Sequence, residues 1–129
     1  MLELEAVEIV QGDFRLSAEF TVAQRARVAV LGPSGAGKST LIGAIAGFVP
    51  LTSGAIYWDG ARIDALPPSQ RPMSILFQDH NLLPHLSVFD NVALGVNTSL
   101  RLSAEQRRTV MQALDATGLA GLETRKPAQ

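Results

Sequence analysis

The sequence predicts an α/β fold, and three observations lead to that prediction. Apolar and polar residues alternate over most of the first 22 positions, a pattern typical of half-buried antiparallel strands. The wholly apolar run VAVL at residues 28–31 ends in a glycine and precedes an apolar segment with helix-forming composition. Helix-start signals then recur in the last third of the chain. Its 129 residues are enough for one domain.

Composition excludes several classes of function. The 11 basic and 12 acidic residues are interleaved, so no basic block indicates a nucleic-acid partner. The absence of cysteine excludes disulfides, thiol catalysis and cysteine metal sites. The N-terminus lacks the basic segment of a signal peptide, and the most apolar region, residues 28–51, contains Lys38 and five glycines. We therefore expect a soluble, cytoplasmic chain that reaches a membrane only through a partner.

The predicted strands follow from period-two patterns and turn signals. Two strands flank the turn QGD at residues 11–13, and a hairpin turns at Asp59 and Gly60. Two short apolar runs, residues 28–32 and 73–77, are predicted to be core strands buried on both faces. Since only helices are predicted after residue 77, a parallel sheet begun at residue 28 has few later strands to pair with.

The predicted helices follow from apolar spacing and capping residues. A helix is expected from Lys38 to about Gly47, and a short one from Ser87 to about Leu94. Ser103 with Gln106 forms a capping-box pattern for a third helix, which stops at Gly118.

A glycine-rich loop lies between the first apolar run and the first helix. Gly32, Gly37, Lys38 and Ser39 match the spacing of a P-loop, G-x-x-x-x-G-K-S. Glycines allow several N–H groups to converge on one anion, and the following helix points its positive dipole end at the same place. The alternative, a strand-to-helix turn with an incidental lysine, is disfavoured by the apolar segments on both sides. The predicted nucleotide-binding residues are Gly32, Pro33, Ser34, Gly35, Ala36, Gly37, Lys38, Ser39 and Thr40.

Three polar residues of this loop have an expected role. The Lys38 ammonium is placed for the β- and γ-phosphates, the Ser39 hydroxyl for Mg²⁺, and Thr40 for the α-phosphate side.

The chain resembles the ATP-binding cassette family, the ATPase subunits of ABC transporters. The segments GPSGAGKSTL, AGFVPLTSGAIYWDG, RPMSILFQ and HLSVFDNVALG match that family's pattern in order and spacing. The resemblance implies a P-loop NTPase core with a partial parallel sheet, an antiparallel β subdomain, and the start of a helical subdomain. The first two would occupy residues 1–86, and the third residues 87–129.

The same resemblance implies ATP and Mg²⁺ as cofactors and a role for Gln78. In the family's pattern Gln78 is the Q-loop glutamine, a ligand of Mg²⁺ and the hydrolytic water, which would make it catalytic together with Lys38. The alternative is that Gln78 merely ends a strand.

The chain departs from the family's pattern in two respects. The family's adenine-stacking aromatic is expected near Gln11, whereas the nearest aromatic, Phe14, shares its period with Leu16 and Phe20 and is expected in the core. The signature sequence, the second acidic strand motif, the catalytic glutamate and the switch histidine are absent from these residues. We therefore expect the N-terminal part of a longer ATPase subunit, with negligible turnover of its own.

The resemblance also implies partners. These are a transmembrane permease, a second ATPase subunit in a homodimer and, indirectly, a periplasmic solute-binding protein, with the chain on the inner face of the plasma membrane. The segment from Leu66 to Arg107 is most similar to ATPase subunits of bacterial thiamine importers.

Five apolar residues beside Gln78 either pack in the helical core or form a permease groove. They are Leu82, Leu83, Leu86, Val88 and Phe89.

Two other functions remain as alternatives. A naturally short, non-hydrolysing nucleotide-binding or interaction module would carry the same loop. A small P-loop kinase or GTPase is disfavoured, because no Asn-Lys-x-Asp motif and no cluster of lid arginines occurs in the sequence. A truncated cassette would leave the apolar run at residues 28–31 without sheet neighbours and prone to associate.

Overall fold

The structure, a computed structural model, describes residues 1–77 and 81–127. The chain forms two compact units, Met1–Ile75 and Leu76–Gln129. The first contains β1 (Leu2–Gln11), β2 (Phe14–Val22), α1 (Lys38–Ala46), β3 (Ser53–Trp58), β4 (Ala61–Arg62) and a 3₁₀ turn (Pro68–Gln70). The second contains α2 (Val88–Ala93) and α3 (Ala104–Ala116). Within the described ranges, no helix has the length and apolar character needed to cross a bilayer.

The strands form one antiparallel sheet in the order β2-β1-β3-β4. Both predicted hairpins are confirmed. At the second, Asp59 and Gly60 have φ values of 47° and 80°. Two consecutive positive φ angles fit the twist of the flanking strands, which explains the aspartate–glycine pair at this turn.

The core of the first unit lies between this sheet and α1. It contains apolar side chains from β1 and β3 together with residues from α1 and the segment after β4. Its buried members are Leu4, Val7, Ile9, Leu41, Ala44, Ile56 and Ile63. This packing fixes α1 against the sheet, and therefore also the glycine-rich loop that precedes α1.

A β-bulge in β1 requires a glycine in β3. The register of β1 shifts between Glu5 and Glu8 relative to β3, and Ala6 in the bulge has a φ of 42°. Gly54 faces the bulge with a φ of 87°. A Cβ added there would lie 2.5 Å from the carbonyl carbon of Ala6 and still closer to its oxygen. Because these are backbone atoms, no side-chain rotation relieves the clash.

We expect Gly54→Ala to lower the free energy of unfolding by about 3 kcal/mol, since it combines an unfavourable φ with a backbone clash. Gly60→Ala is the matched control, because Gly60 has a φ of 80° and nothing within 4 Å of an added Cβ. That variant should lose only about 1 kcal/mol, from the φ alone. Urea unfolding of both variants checks the difference, and equal losses would contradict a clash at the bulge.

Arg71 is a buried cation that the sequence analysis did not single out. Its side chain is 8% exposed and donates hydrogen bonds of 2.7–2.9 Å to four carbonyl groups. These belong to Ala44, Ile45, Asp64 and Leu66. Two of the four lie in the last turn of α1, where the helix dipole favours a cation, and the Ala44 carbonyl also accepts from the Gly47 N–H at 3.2 Å. Burial lowers the pKa of Arg71 below its usual value.

The second unit is organised by capped helices. The Ser87 hydroxyl accepts a hydrogen bond from the Asp90 N–H at 3.0 Å, and Ser103 and Gln106 form the predicted capping box. The helices pack through Ala93, Val110 and Leu114, all buried. Both predicted helix starts are therefore confirmed.

The two predicted core strands are not formed. No β-pairing of the described residues involves residues 28–32 or 73–77, so these predictions were wrong for this structure. Leu31 and Leu76 are 89% and 84% exposed. An apolar run becomes a strand only where a neighbouring backbone supplies hydrogen-bond partners, and the sheet formed by β1 to β4 does not supply them.

Candidate functional site

The glycine-rich loop folds into a tight turn before α1. Gly35 and Gly37 have φ values of 80° and 89°, conformations that disfavour residues with a Cβ. The Ala36 N–H donates to the Pro33 carbonyl at 3.3 Å, and a Cβ on Gly32 would lie 3.5 Å from that of Ala36. The loop therefore turns back on itself, as the predicted P-loop requires.

The N-terminus of α1 is left open to an anion. Gly37 is its N-cap and supplies no side-chain hydrogen bond, and the first turn contains no acidic residue. The first backbone bond of the helix runs from the Leu41 N–H to the Gly37 carbonyl at 2.9 Å. The N–H groups of Lys38, Ser39 and Thr40 thus lack intrahelical acceptors, and the helix dipole adds a partial positive charge.

Lys38 folds back over the loop. Its Nζ donates to the Gly32 and Pro33 carbonyls, both at 2.7 Å. An ammonium group has three donors, so these two bonds leave one for a ligand. The loop carbonyls therefore hold a full positive charge beside the open end of the helix.

These groups surround a cavity of about 430 Å³. Among the described residues, its walls carry one cation and three hydroxyls and contain no carboxylate, a chemistry suited to a polyanion. Ser39 is exposed, so its hydroxyl can share a Mg²⁺ ion with a bound phosphate. The lining residues are Gln11, Phe14, Ser34, Gly35, Gly37, Lys38, Ser39 and Thr40.

The structure brings most of the sequence-predicted loop residues together. Six of them line the cavity, while Gly32 and Pro33 supply the carbonyls that hold Lys38. Ala36 closes the turn. Gln78 lies outside the described residues. Within residues 1–77 and 81–127, no group of three histidine, aspartate or glutamate side chains is placed to hold a metal.

Phe14 has a different position from the one predicted. It does not belong to the core beneath the sheet but lines the cavity. A Cβ added to Gly37 would lie 2.6 Å from the tip of the Phe14 ring and 2.6 Å from Leu16 Cδ1. The period-two pattern placed Phe14 and Leu16 on one sheet face correctly. Because the loop lies over the Phe14 end of that face, the ring supports the loop.

Of the five apolar residues that follow Gln78 in the sequence, Leu86 is half-buried, and the other four form two pairs that differ in exposure. Leu82 and Leu83 are 56% and 42% exposed. Val88 and Phe89 instead pack against the helical core, and the Arg107 guanidinium lies 5.4 Å from the centre of the Phe89 ring. Only the first pair therefore has the exposure that a docking surface requires.

The chain has relatives among known proteins. The sequence model of the ABC transporter family matches residues 16–129. The thiamine import ATP-binding protein ThiQ of Jannaschia sp. (strain CCS1) is 52% identical over 128 residues, which is 99% of this chain and 56% of that protein. ThiQ of Ruegeria sp. (strain TM1040) is 50% identical over 100% of this chain and 56% of that protein. The chain thus spans about half the length of these curated relatives.

A solved structure supports the fold. The dimeric post-hydrolysis state of the ATP-binding cassette MJ0796, bound to ADP and Pi, aligns with a TM-score of 0.78 and 26% identity. The alignment covers 100% of this chain and 62% of that one. The predicted α/β fold class is therefore confirmed.

Proposed function

This chain belongs to the ABC transporter family, and on that premise we propose that it binds MgATP as part of the ATPase subunit of an importer. The observation that carries the proposal is the cavity around Lys38, where an ammonium group and the open end of α1 converge. A triphosphate has the charge and the acceptor oxygens to satisfy both.

The loop residues have separate roles in this proposal. Lys38 uses its third donor for the β- and γ-phosphates, and the N–H groups of the first turn of α1 bind phosphate oxygens. Ser39 ligates Mg²⁺, and Thr40 contacts the α-phosphate side. From the family resemblance alone, Gln78 would be a ligand of Mg²⁺ and the hydrolytic water. ATP supplies the phosphoryl bond whose cleavage would reset the transporter.

Hydrolysis of ATP requires a general base in addition to the phosphate-binding residues of this cavity. No carboxylate lines the cavity in the described part of the chain, so no candidate general base stands beside the proposed γ-phosphate. We infer that the residues present here bind nucleotide and that they turn it over negligibly by themselves. The same observation favours the second candidate function, a nucleotide-binding module without hydrolysis. A Lys38-dependent hydrolysis rate comparable with that of intact cassettes would exclude both inferences.

The proposed cargo is thiamine or its phosphates, supported by the names of the relatives from Jannaschia and Ruegeria. The proposed partners are a permease, a second copy of the ATPase subunit and, through the permease, a periplasmic solute-binding protein. The dimeric state of MJ0796 supports the second of these. The subunit would then lie on the inner face of the plasma membrane, bound through the permease.

The Mg²⁺ role of Ser39 gives a direct test of the proposed function. We expect Ser39→Ala to weaken ATP binding about tenfold in Mg²⁺ and to have little effect in excess EDTA, because the hydroxyl acts through the metal. Ser34→Ala is the matched control, since Ser34 lines the same cavity and has no proposed metal role. Calorimetric titrations with and without Mg²⁺ measure both variants. Equal effects of Ser39→Ala in the two buffers would contradict the assignment.

The proposed permease contact predicts different effects at Leu83 and Phe89. We expect Leu83→Glu to weaken association with the permease more than about tenfold while the chain stays folded, because Leu83 is already 42% exposed. Phe89→Glu should instead unfold the α2–α3 unit, since it buries a charge against the core. Co-purification with the permease and thermal melting of each variant separate the two results. Unchanged association of the Leu83 variant would exclude this surface.

A further inference from the structure

The mouth of the P-loop cavity includes the turn between β1 and β2. Gln11 and Phe14 are directly opposite each other across this turn, and both line the cavity. Directly opposed residues of an antiparallel pair project from the same face of the sheet. The turn therefore presents one amide and one aromatic ring to any molecule whose phosphates occupy the loop.

The aromatic ring is already engaged by the protein. The tip of the Phe14 ring lies so close to Gly37 that a Cβ there would be 2.6 Å from Cζ and 3.4 Å from Cε2. Gly37 is also the N-cap of α1, so the ring packs beneath the point where loop and helix join. Stacking Phe14 on a base would withdraw this support. Phe14 is therefore positioned to support the loop. This support contributes equally to the affinity for every phosphate ligand.

The Gln11 side chain, unlike the Phe14 ring, is not engaged by the described part of the protein. It is exposed, and its side-chain amide makes no hydrogen bond to the described part of the chain. A glutamine amide has both donors and an acceptor, and rotation by 180° exchanges them. The same side chain can therefore satisfy a donor or an acceptor on the edge of any nucleobase. It offers no π-face on which a large purine would stack better than a pyrimidine.

Resting on the proposed function, we propose that this site selects for the triphosphate and Mg²⁺ and discriminates little between nucleobases. Gln11 is the residue that contacts the base, through an adaptable hydrogen bond. Phe14 is a positioning residue that supports the loop. The ligand class is thus nucleoside 5′-triphosphates in general, of which ATP is one.

The test is a calorimetric comparison of MgATP, MgGTP, MgCTP and magnesium tripolyphosphate. We expect the three nucleotides to bind the unaltered chain within about fivefold of one another, roughly 1 kcal/mol. Gln11→Tyr should create a stacking surface and tighten ATP about tenfold while leaving tripolyphosphate unchanged. Phe14→Leu should weaken all four ligands by the same factor. Gln112→Ala, an exposed glutamine on α3, is the matched control and should change nothing.

The outcomes separate this inference from the function on which it rests. A preference for ATP over CTP larger than about fivefold would overturn the inference and leave nucleotide binding intact. So would a Phe14→Leu variant that loses nucleotide affinity but keeps tripolyphosphate affinity, because Phe14 would then be the stacking residue. Absence of binding by all four ligands would overturn the proposed function itself. Thermal melting of each variant shows that it is folded under the conditions of the titration.

Discussion

Replacing Lys38 with alanine is expected to weaken MgATP binding at least about a hundredfold, because it removes the one cation that lines the cavity in the described part of the chain. The two carbonyls that Lys38 now satisfies, those of Gly32 and Pro33, lie in an exposed loop and can be hydrated. The loss should therefore appear in affinity rather than in stability. Calorimetric titration and thermal melting of the same sample measure both quantities.

Lys126→Ala is the matched control for this substitution. Lys126 is the other lysine of the chain, is exposed, and belongs to the second compact unit. We expect its removal to leave the affinity for MgATP unchanged. If Lys38→Ala and Lys126→Ala weaken binding equally, ATP is attracted by net charge alone and the loop is not the site.

Replacing Arg71 with methionine is expected to lower the free energy of unfolding by about 3 kcal/mol. Methionine fills much of the same volume but donates no hydrogen bonds, so four carbonyl acceptors lose the guanidinium as a donor. The bond to Ala44 is fully buried, and after the substitution that carbonyl would keep only the 3.2 Å bond from the Gly47 N–H. Chemical denaturation measures the loss.

Two further variants complete this test. Arg27→Met removes a charge from an exposed arginine and should change stability by less than about 0.5 kcal/mol. Arg71→Lys keeps the charge but concentrates its donors on one atom, so we expect it to recover only part of the loss. Equal stability of Arg71→Met and Arg27→Met would show that water replaces the guanidinium at no cost.

Local chemistry explains why much of the fold was predictable from the sequence. The two hairpins depend on alternation and on turn residues, and the Asp59–Gly60 turn needs only the positive φ values that these residues tolerate. Ser87 and Ser103 cap their helices through residues three positions further along. The loop from Gly32 to Thr40 was predicted to bind phosphate for the same reason, since the P-loop pattern consists of residue types at fixed short spacings.

Contacts between segments far apart in the sequence decided the features of the fold that were not predicted. Arg71 was not predicted as a core residue because its acceptors in α1 lie 26 and 27 positions away, and no local pattern records them. Phe14 was predicted to lie in the core, since its period cannot show that Gly37 lies over that end of the sheet. The apolar run at residues 28–32 was predicted to be a strand because its composition favours β structure. Composition does not show whether a neighbouring strand is available for pairing.

The sequence by itself therefore determined the chemistry of the loop and the local elements around it. Only the tertiary structure decided what lies against that loop: the ring of Phe14 beneath Gly37 and the amide of Gln11 at the mouth of the cavity. The physical reason is that hydrogen bonds within a turn depend on neighbours a few residues away. The packing of a strand end against a helix start depends instead on how the whole unit folds.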